Sequence, residues 1–472
     1  MLESSTAMGI FFSWAELAKI TGGEWLLSAE SGSCAAGVTS VFDDSRALVP
    51  GALFVATVGE LADGHQYLGQ ALEAQAAAIC LERSPDETLL QRMRSAGVPC
   101  LQVINGLAAF QLLAQAHRQK FPDLVELAIT GSCGKTSTKE LCAAVLEQRW
   151  PGRVLKTLGN TNNHYGVPRN LFRLTSETAV AVLEMGSNHP GEIAQLVSLA
   201  PPQVGLVCNI GHAHLEFFHD LRGVASEKGE LLAGTDEHGW AIFPREAEGY
   251  DILIEKAGKR RCLTFGSSPS ADVRCEYLGL QNGHFRVRLS WRDSGDFREF
   301  SWQLGGAHQA LNAAAAAAAG TAFGLTPDEI IRGLQNCVLP GKRMEVREID
   351  GIIWCNDAYN SNPDSARAAL DWFAELSATA EKRVLILGDM RELGDNAPKA
   401  HLELLQKARH DFPEARIISV GALSKEAAQA LDLEHFPDTD TAKAALKGAF
   451  SRGTWILLKA SNGVQLYRFP EE

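Results

Sequence analysis

The segment Gly131-Ser132-Cys133-Gly134-Lys135-Thr136-Ser137 joins a short apolar run, Leu127-Ala128-Ile129, to a stretch with helical character. A glycine loop between a strand and a helix is the setting in which a chain binds phosphate. Its backbone N–H groups would point at phosphate oxygens, and the helix N-terminus would add a favourable dipole. Lys135 would reach the β- and γ-phosphates, and Thr136 would ligate Mg²⁺. The long form of this motif needs glycine where Ile129 stands, so the loop is a shortened one. Glu184 closes the apolar run Ala179–Leu183. A carboxylate at the carboxyl end of a strand, beside a phosphate loop, is placed to be a second Mg²⁺ ligand. Without that loop it would read as a solvated surface group.

Other polar positions carry two readings each. His212 and His214 follow the run Val204–Cys208, but no Cys or acid lies at zinc-ligand spacing, so either histidine alone reads as structural. Lys228, in Ser226-Glu227-Lys228-Gly229-Glu230, looks by composition like part of an exposed charge run. His308 and Asn312 are four apart and share a helix face, where they could line a purine pocket or anchor the helix. Asp357-Ala358-Tyr359-Asn360-Ser361-Asn362-Pro363 directly follows an apolar run, which puts its polar side chains at the usual ligand edge of a parallel sheet. Cys133 lies near the positive end of a helix, with Lys135 two residues on, which favours a reactive thiolate that ATP would protect. A buried, inert small filler is the equally weighted alternative.

These groups need elements to position them. In the first hundred residues, Ser13-Trp14-Ala15-Glu16 is a capping box that opens a helix, and Thr21-Gly22-Gly23 closes it. Leu53–Ala56 reads as a buried strand after the Pro50-Gly51 turn, and a helix follows from Asn105 to Lys120. From Leu124 short apolar strands alternate with helices, including one from Lys135 to about Trp150. The Ala313–Ala319 run reads as a tightly packed helix. Beyond Pro340-Gly341, strands at 352–355, 384–387, 417–420 and 455–458 alternate with helices, and Asn362-Pro363 is an N-cap followed by proline at N1. The expected architecture is α/β in three domains. Residues 1–121 form a small mixed α/β unit, 122–340 a central P-loop parallel-sheet ATPase unit, and 341–472 a doubly wound Rossmann-like unit.

Composition narrows the class. The 472 residues are 46% apolar and 21% charged, the balance of an ordinary globular protein. Lys plus Arg is 44 against 57 Asp plus Glu, a formal net charge of −13. That argues against a sequence-independent nucleic-acid binder and a polybasic membrane-surface protein, and leaves room for a local basic pocket that takes an acidic ligand. No segment reads as a membrane span or a secretory signal. The ten scattered cysteines contain no C-x-x-C pair, which suits a reducing, cytoplasmic setting.

In order along nearly the whole chain, the motifs resemble the Mur ligase family. Asp44-Ser45-Arg46, Pro50–Ala56 and Asp63-Gly64-His65 are similar to its first domain. Thr130–Lys139, Gly159-Asn160-Thr161-Asn162-Asn163, Gly166-Val167-Pro168, Glu184-Met185-Gly186, Asn209–Glu216 and Lys228-Gly229-Glu230 are similar to its central blocks. Pro340–Glu345, Asp357–Ser365 and Leu387–Met390 with Glu392-Leu393-Gly394 are similar to its third domain. The resemblance implies ATP and Mg²⁺ as cofactors, with the phosphate loop Gly131, Ser132, Cys133, Gly134, Lys135, Thr136 and Ser137. It implies Mg²⁺ on Thr136 and Glu184, and a second ion on His214 and Lys228, the lysine carried as a carbamate. Lys135, Glu184, His214 and Lys228 would be catalytic. His308 and Asn312 would contact adenine, Arg343 a phosphate and Asp357 the ribose. Ser45, Arg46, Asp63, His65, Asn162, Asn163, Asn360 and Asn362 would bind substrate, the first four in the domain that family members use for a UDP group. The partners implied are UDP-N-acetylmuramoyl-tripeptide and D-alanyl-D-alanine, joined by a monomer in peptidoglycan precursor synthesis, with no nucleic acid and no membrane span.

Two departures stand out. Lys459-Ala460-Ser461-Asn462 replaces the common Lys-Gly-Ser-Arg, and Phe243-Pro244-Arg245 stands where the family often has an asparagine. The rivals are a sister ligase that adds the third amino acid, a folylpolyglutamate synthase, and, from another class, a P-loop nucleotide switch without ligase activity.

Overall fold

A computed structural model describes residues 11–28, 36–59, 62–212 and 215–470, with the side chain of Leu215 left aside. His214 therefore lies outside the described residues, as does most of the N-terminal stretch. The chain divides into two compact units.

The first unit comprises residues 1–124 together with 157–179 and 198–200. Its sheet has five strands in the order Glu24–Leu27, Cys100–Gln102, Ala78–Leu81, Ala52–Val55, Ser40–Phe42. Only the first pair is antiparallel. The helix Trp14–Thr21 opens on the expected capping box, in which Ser13 Oγ accepts from the Glu16 N–H and the Glu16 carboxylate accepts from the Ser13 N–H. The helix Gly106–Arg118 buries Ala109, Phe110, Leu113 and Ala114, the apolar face that the spacing sets.

The second unit carries two sheets. The larger has nine strands, ordered Phe297–Trp302, His284–Trp291, Val273–Gln281, Arg261–Gly266, Trp240–Pro244, β3 (Val204–Val207), β1 (Val125–Thr130), β2 (Val180–Glu184) and Val154–Lys156. Every pair from Val154–Lys156 through Val273–Gln281 is parallel, and the last two are antiparallel. The antiparallel extension was not foreseen. Its middle strand, His284–Trp291, alternates between buried and partly exposed positions, the period-2 signature of a sheet with one covered face. β1 lies between β2 and β3, and Glu184 pairs in register with Ile129. The strand order turns back at β1, so a crevice opens at the carboxyl ends of these strands.

Helix α1 (Lys135–Leu146) follows β1 and ends four residues sooner than expected. Helix α2 (Leu221–Ala233) follows β3, and α3 (Ala307–Ala322) carries the alanine run, fully buried. Methyl side chains let α3 pack closely; the Gly320 backbone on it sits against Val145 of α1. The smaller sheet is ordered Glu345–Ile349, Ile352–Asn356, Thr454–Lys459, Lys382–Gly388, Arg416–Val420, Glu434–Phe436, parallel except for its first pair. Helix α4 (Pro363–Leu376) starts at the expected cap, with Asn362 Oδ1 accepting from the Ser365 N–H at 2.8 Å. Among the described residues no helix is long and apolar enough to cross a membrane.

Candidate active site

The loop after β1 turns on two glycines. Gly134 has φ +75°, a left-handed conformation that disfavours any side chain, and a Cβ there would meet Asn312 Oδ1 at 2.7 Å. Ser132 locks the loop to the end of β3: its Oγ donates to the Gly211 carbonyl and accepts from the Gly211 N–H, both at 2.9 Å. Asn209 braces it again, with Oδ1 accepting from the Cys133 N–H at 3.0 Å. The backbone donors are thus held in place before any anion arrives.

Lys135 is the first residue of α1, half-buried, with Nζ donating to the Gly131 carbonyl at 2.7 Å. Thr136 Oγ1 donates to Glu184 Oε2 at 3.0 Å. Arg343, arriving from the smaller sheet's side of the unit, donates from Nη2 to the same Thr136 Oγ1 at 3.0 Å and lies over the Tyr359 ring at 4.0 Å. Hydroxyl, carboxylate and guanidinium therefore meet at Thr136 Oγ1, one residue along from the phosphate-loop lysine. Thr136 and Glu184 are both buried, and both present hard oxygen atoms, the donor chemistry that Mg²⁺ takes.

Lys228 corrects an expectation. Composition reads it as exposed, yet it is 1% exposed. Val224, Ala225, Lys228, Leu231 and Leu232 fall on one face of α2, the face that packs inward, so helical period overrides local charge. Its Nζ donates to Ser187 Oγ at 2.7 Å and to the Ser187 carbonyl at 3.3 Å, and sits 5.4 Å from the Phe218 ring centre. Burial pulls the ammonium down to about 7 and the Lys135 charge pushes the same way, against Glu227 and Glu192. Glu227 is itself occupied, accepting from the Gly191 and Ile193 N–H groups at 2.7 and 2.9 Å.

Asn312 reaches the phosphate loop and not open space: its Oδ1 accepts from Thr138 Oγ1 at 3.3 Å, and its Nδ2 donates to Gln309 at 3.0 Å. His308 Nε2 lies 3.2 Å from Met344 Sδ, and burial pulls its imidazole down to about 4, so it is neutral. Asp357 is ion-paired with the buried Lys459 at 2.8 Å, and its Oδ1 accepts from the Met344 N–H at 3.2 Å. Lys459 also donates to the carbonyls of Asp357 and Asn360, at 3.1 and 2.6 Å. Asn362 is engaged as the cap of α4.

Cys133 is partly buried and its Sγ accepts from the Asn209 side-chain amide. Burial pushes its thiol up; the Asn209 amide at 2.7 Å, Lys135 and Lys459 act downward without prevailing, while Asp364 adds to the rise. Desolvation outweighs the helix dipole that favours a thiolate. The two departures have structural consequences. Phe243 is fully buried in an apolar cluster with Leu253 and Ala257, and Ala460 is buried against Gly388.

The remaining candidates lie in the first unit. Ser45 Oγ donates to Gln70 at 2.9 Å, and Arg46 is an exposed partner of Asp44. Asp63 bonds the His65 ring at 2.8 Å and pairs with Arg83, while His65 Nε2 accepts from the Glu82 N–H at 3.0 Å. That fixes the ring's tautomer, with the proton on Nδ1. Asn163 accepts from the Tyr165 and Gly166 N–H groups, at 3.2 and 2.9 Å. Asn162 is half-buried beside it.

Asn209, Ser187 and Lys139 were not singled out. Asn209 could have been found by the argument that found Glu184, since it too follows a strand adjoining β1. Lys139, three residues after Thr136 on the same helical face, is 1% exposed, with Nζ 3.1 Å from Glu140 and 3.9 Å from Glu184.

The fold and site define an α/β protein with a phosphate loop at the switch point of a parallel sheet and two buried hard-oxygen side chains, Thr136 and Glu184, beside it. The Mur ligase middle domain matches residues 129–320, and the Mur ligase glutamate ligase domain matches residues 342–462. UDP-N-acetylmuramoyl-tripeptide–D-alanyl-D-alanine ligase of Escherichia coli K12 is 37% identical over 411 residues, covering 86% of this chain and 87% of that protein. The Bacillus subtilis ligase of the same name is 33% identical over 442 residues, covering 91% and 92%. A crystal structure of MurF from Acinetobacter baumannii superposes with a TM-score of 0.86 at 26% identity, covering 97% of each chain. MurF from Thermotoga maritima in complex with ADP superposes with a TM-score of 0.77 at 26% identity, covering 91% of this chain and 96% of that one. The chain belongs to the Mur ligase family.

Proposed function

We propose that this protein joins D-alanyl-D-alanine to UDP-N-acetylmuramoyl-tripeptide with ATP, in peptidoglycan precursor synthesis. The meeting of Glu184 and Arg343 at Thr136, one residue along from Lys135, carries the reading. A carboxylate is a poor acyl donor, because oxide is a very poor leaving group. Its oxygen attacks the γ-phosphorus of ATP and ADP leaves, which makes an acyl phosphate. The dipeptide nitrogen then attacks the acyl carbon, loses its proton, and expels phosphate as the amide forms. Lys135 and Arg343 offset the charge that would repel a carboxylate from a triphosphate. Thr136 and Glu184 would hold Mg²⁺, which when bound supplies further positive charge at the phosphoryl oxygens.

Lys228 has a different task. A buried amine with its pKa near neutrality is nucleophilic toward CO₂: the N–C bond forms, a proton leaves nitrogen, and the product is an anionic carbamate. That oxygen donor, with His214, would complete a second cation site. Asp357, His308 and Asn312 would hold the nucleoside, and Ser45, Arg46, Asp63, His65, Asn162, Asn163, Asn360 and Asn362 the other substrates. Domain limits at 121 and 340, a monomer and a cytoplasmic setting complete the reading.

The test is incubation with ATP, Mg²⁺, UDP-muramoyl-tripeptide and D-alanyl-D-alanine, read by mass for the pentapeptide. Phosphate release should require both acceptor and donor. Release with neither would point to a nucleotide switch, and product with single amino acids alone to a sister ligase.

A further inference from the structure

We propose that Arg391 is a substrate-binding residue that takes the terminal carboxylate of the dipeptide, supplying from a neighbouring strand the guanidinium that this chain lacks at Asn462. The strands Lys382–Gly388 and Thr454–Lys459 are parallel neighbours, so the segments that leave their carboxyl ends, Asp389-Met390-Arg391 and Ala460-Ser461-Asn462, lie side by side. That edge is where open parallel sheets bind ligands. The Arg391 N–H donates to Ser461 Oγ at 2.9 Å across 70 positions of chain, and Arg391 Nη2 reaches the Gly463 carbonyl at 3.4 Å. The guanidinium lies against the bare backbone of Gly463, where a Cβ would meet Arg391 Cζ at 2.7 Å and Nη1 closer still. Gly463 directly follows Asn462, the position at which the Lys-Gly-Ser-Arg pattern has its arginine.

The backbone beneath Arg391 is fixed. Asp389, 6% exposed, accepts through its carboxylate from the Leu423 and Ser424 N–H groups at 3.1 and 2.9 Å and from Ser424 Oγ at 2.9 Å. The Met390 N–H donates to His401 Nε2 at 2.8 Å, and His401 Nδ1 is 2.7 Å from the Ala397 carbonyl. Asp389 is therefore engaged elsewhere, and among the described residues no carboxylate pairs with Arg391. The side chain is exposed, and its one long bond leaves most of the guanidinium donors unused. A planar fork of this kind matches a carboxylate with two parallel hydrogen bonds. Ser461 Oγ donates in turn to the Ser361 carbonyl at 3.3 Å, between Asn360 and Asn362, so Arg391 shares an edge with those candidate substrate residues. In the ligase reading, on which this inference rests, the phosphate loop takes the nucleotide and the reacting carboxylate. The acceptor is left for the smaller sheet's edge, and it brings a carboxylate that takes no part in the chemistry.

The experiment is steady-state ligation by the full chain with ATP, Mg²⁺ and UDP-muramoyl-tripeptide, comparing D-alanyl-D-alanine with D-alanyl-D-alaninamide as acceptor. The readout is the ratio of the two kcat/KM values, which a merely structural residue would not move. The parent should favour the carboxylate. Arg391→Met should lower the ratio by about 10–100-fold, the size expected for a charge-assisted pair. Arg391→Lys should keep part of the preference, since an ammonium has the charge without the fork. Asn462→Arg in the Arg391→Met chain should recover most of the loss, because it returns a guanidinium to the same edge. Gly463→Ala, which puts a methyl in the seat of the guanidinium, should lower the ratio as well. An unchanged ratio in Arg391→Met overturns the proposal, whether both acceptors slow alike or only the KM for the tripeptide rises. If Arg391→Met does not fold, an unchanged ratio in Gly463→Ala overturns it instead. A parent that forms no pentapeptide would bring down the ligase reading; a parent that forms it without preferring the carboxylate would bring down only the role of Arg391.

Discussion

Lys135 and Lys228 repel one another in the same site, yet their environments give them opposite chemistry. Lys135 begins a helix, half-buried, with its ammonium folded onto the Gly131 carbonyl at the mouth of the phosphate loop. Lys228 sits in the middle of α2, 1% exposed, held by Ser187 beneath the Phe218 ring. The first is placed to meet phosphate. The second is drawn down to about 7 by burial and by the charge of the first. Residue type alone does not assign the role. Distance from water does, because desolvation penalises the charged form of an amine more than any nearby carboxylate here repays.

The largest expected effect tests the cationic side of this pair. Lys135→Ala should abolish measurable ligation, a loss on the order of 10³-fold or more in kcat, while circular dichroism and the unfolding midpoint stay near those of the parent. Near-normal turnover would remove Lys135 from the phosphate site. Lys228→Ala should be nearly as inactive, but part of its activity should return with added acetate or formate, which can occupy the volume of a missing carbamate. Full activity in Lys228→Ala would end the carbamate reading, whereas Lys135→Ala should gain nothing from the same additives. That contrast separates the two lysines better than either loss alone.

A smaller effect follows from titration. The folded-state pKa of Lys228 is about 7, below its ordinary 10.5. Between those values the unfolded chain binds the extra proton and the folded chain does not, so stability rises with pH across that window. Below about 7 both states are protonated and the destabilisation is fully present. Lys228→Met should flatten this slope in denaturant titrations of the nucleotide-free protein. An unchanged slope would show that the buried amine is not the source. The smallest effect concerns Cys133. Its raised pKa and partial burial imply slow labelling by iodoacetamide, no faster than other cysteines, with little change when MgATP is present. Fast labelling that MgATP blocks would restore the reactive-thiol reading and would mean that the loop opens more than its brace to Asn209 suggests.

Much of the site's neighbourhood was legible because it is local. A glycine loop between an apolar run and a helix constrains only adjacent residues, so Gly131–Ser137 could be assigned a role from spacing. The same holds for the Ser13–Glu16 capping box and for Asn362-Pro363 at the start of α4, where a side chain and a backbone N–H three residues apart must meet. Strand existence was also readable from short apolar runs with breakers on either side. Strand order was not. That β1 lies between β2 and β3, which is what brings Glu184 and Asn209 to opposite sides of the loop, follows from pairings between distant segments. The antiparallel strands from Val273 to Trp302 went unread for a related reason: their alternating pattern is weak until a partner covers one face.

The sequence by itself determined the phosphate loop, the caps and the α/β alternation, since these depend on dihedral preferences and hydrogen bonds within a few residues. Only the tertiary structure decided that Lys228 and Lys139 are buried, that Arg343 reaches Thr136 across 207 positions, and that Lys459 is paired with Asp357. A charged residue in a polar run looks solvated until its helix is packed. The free energy that distinguishes a solvated amine from a tuned one is desolvation, and desolvation is fixed by groups far away in the chain.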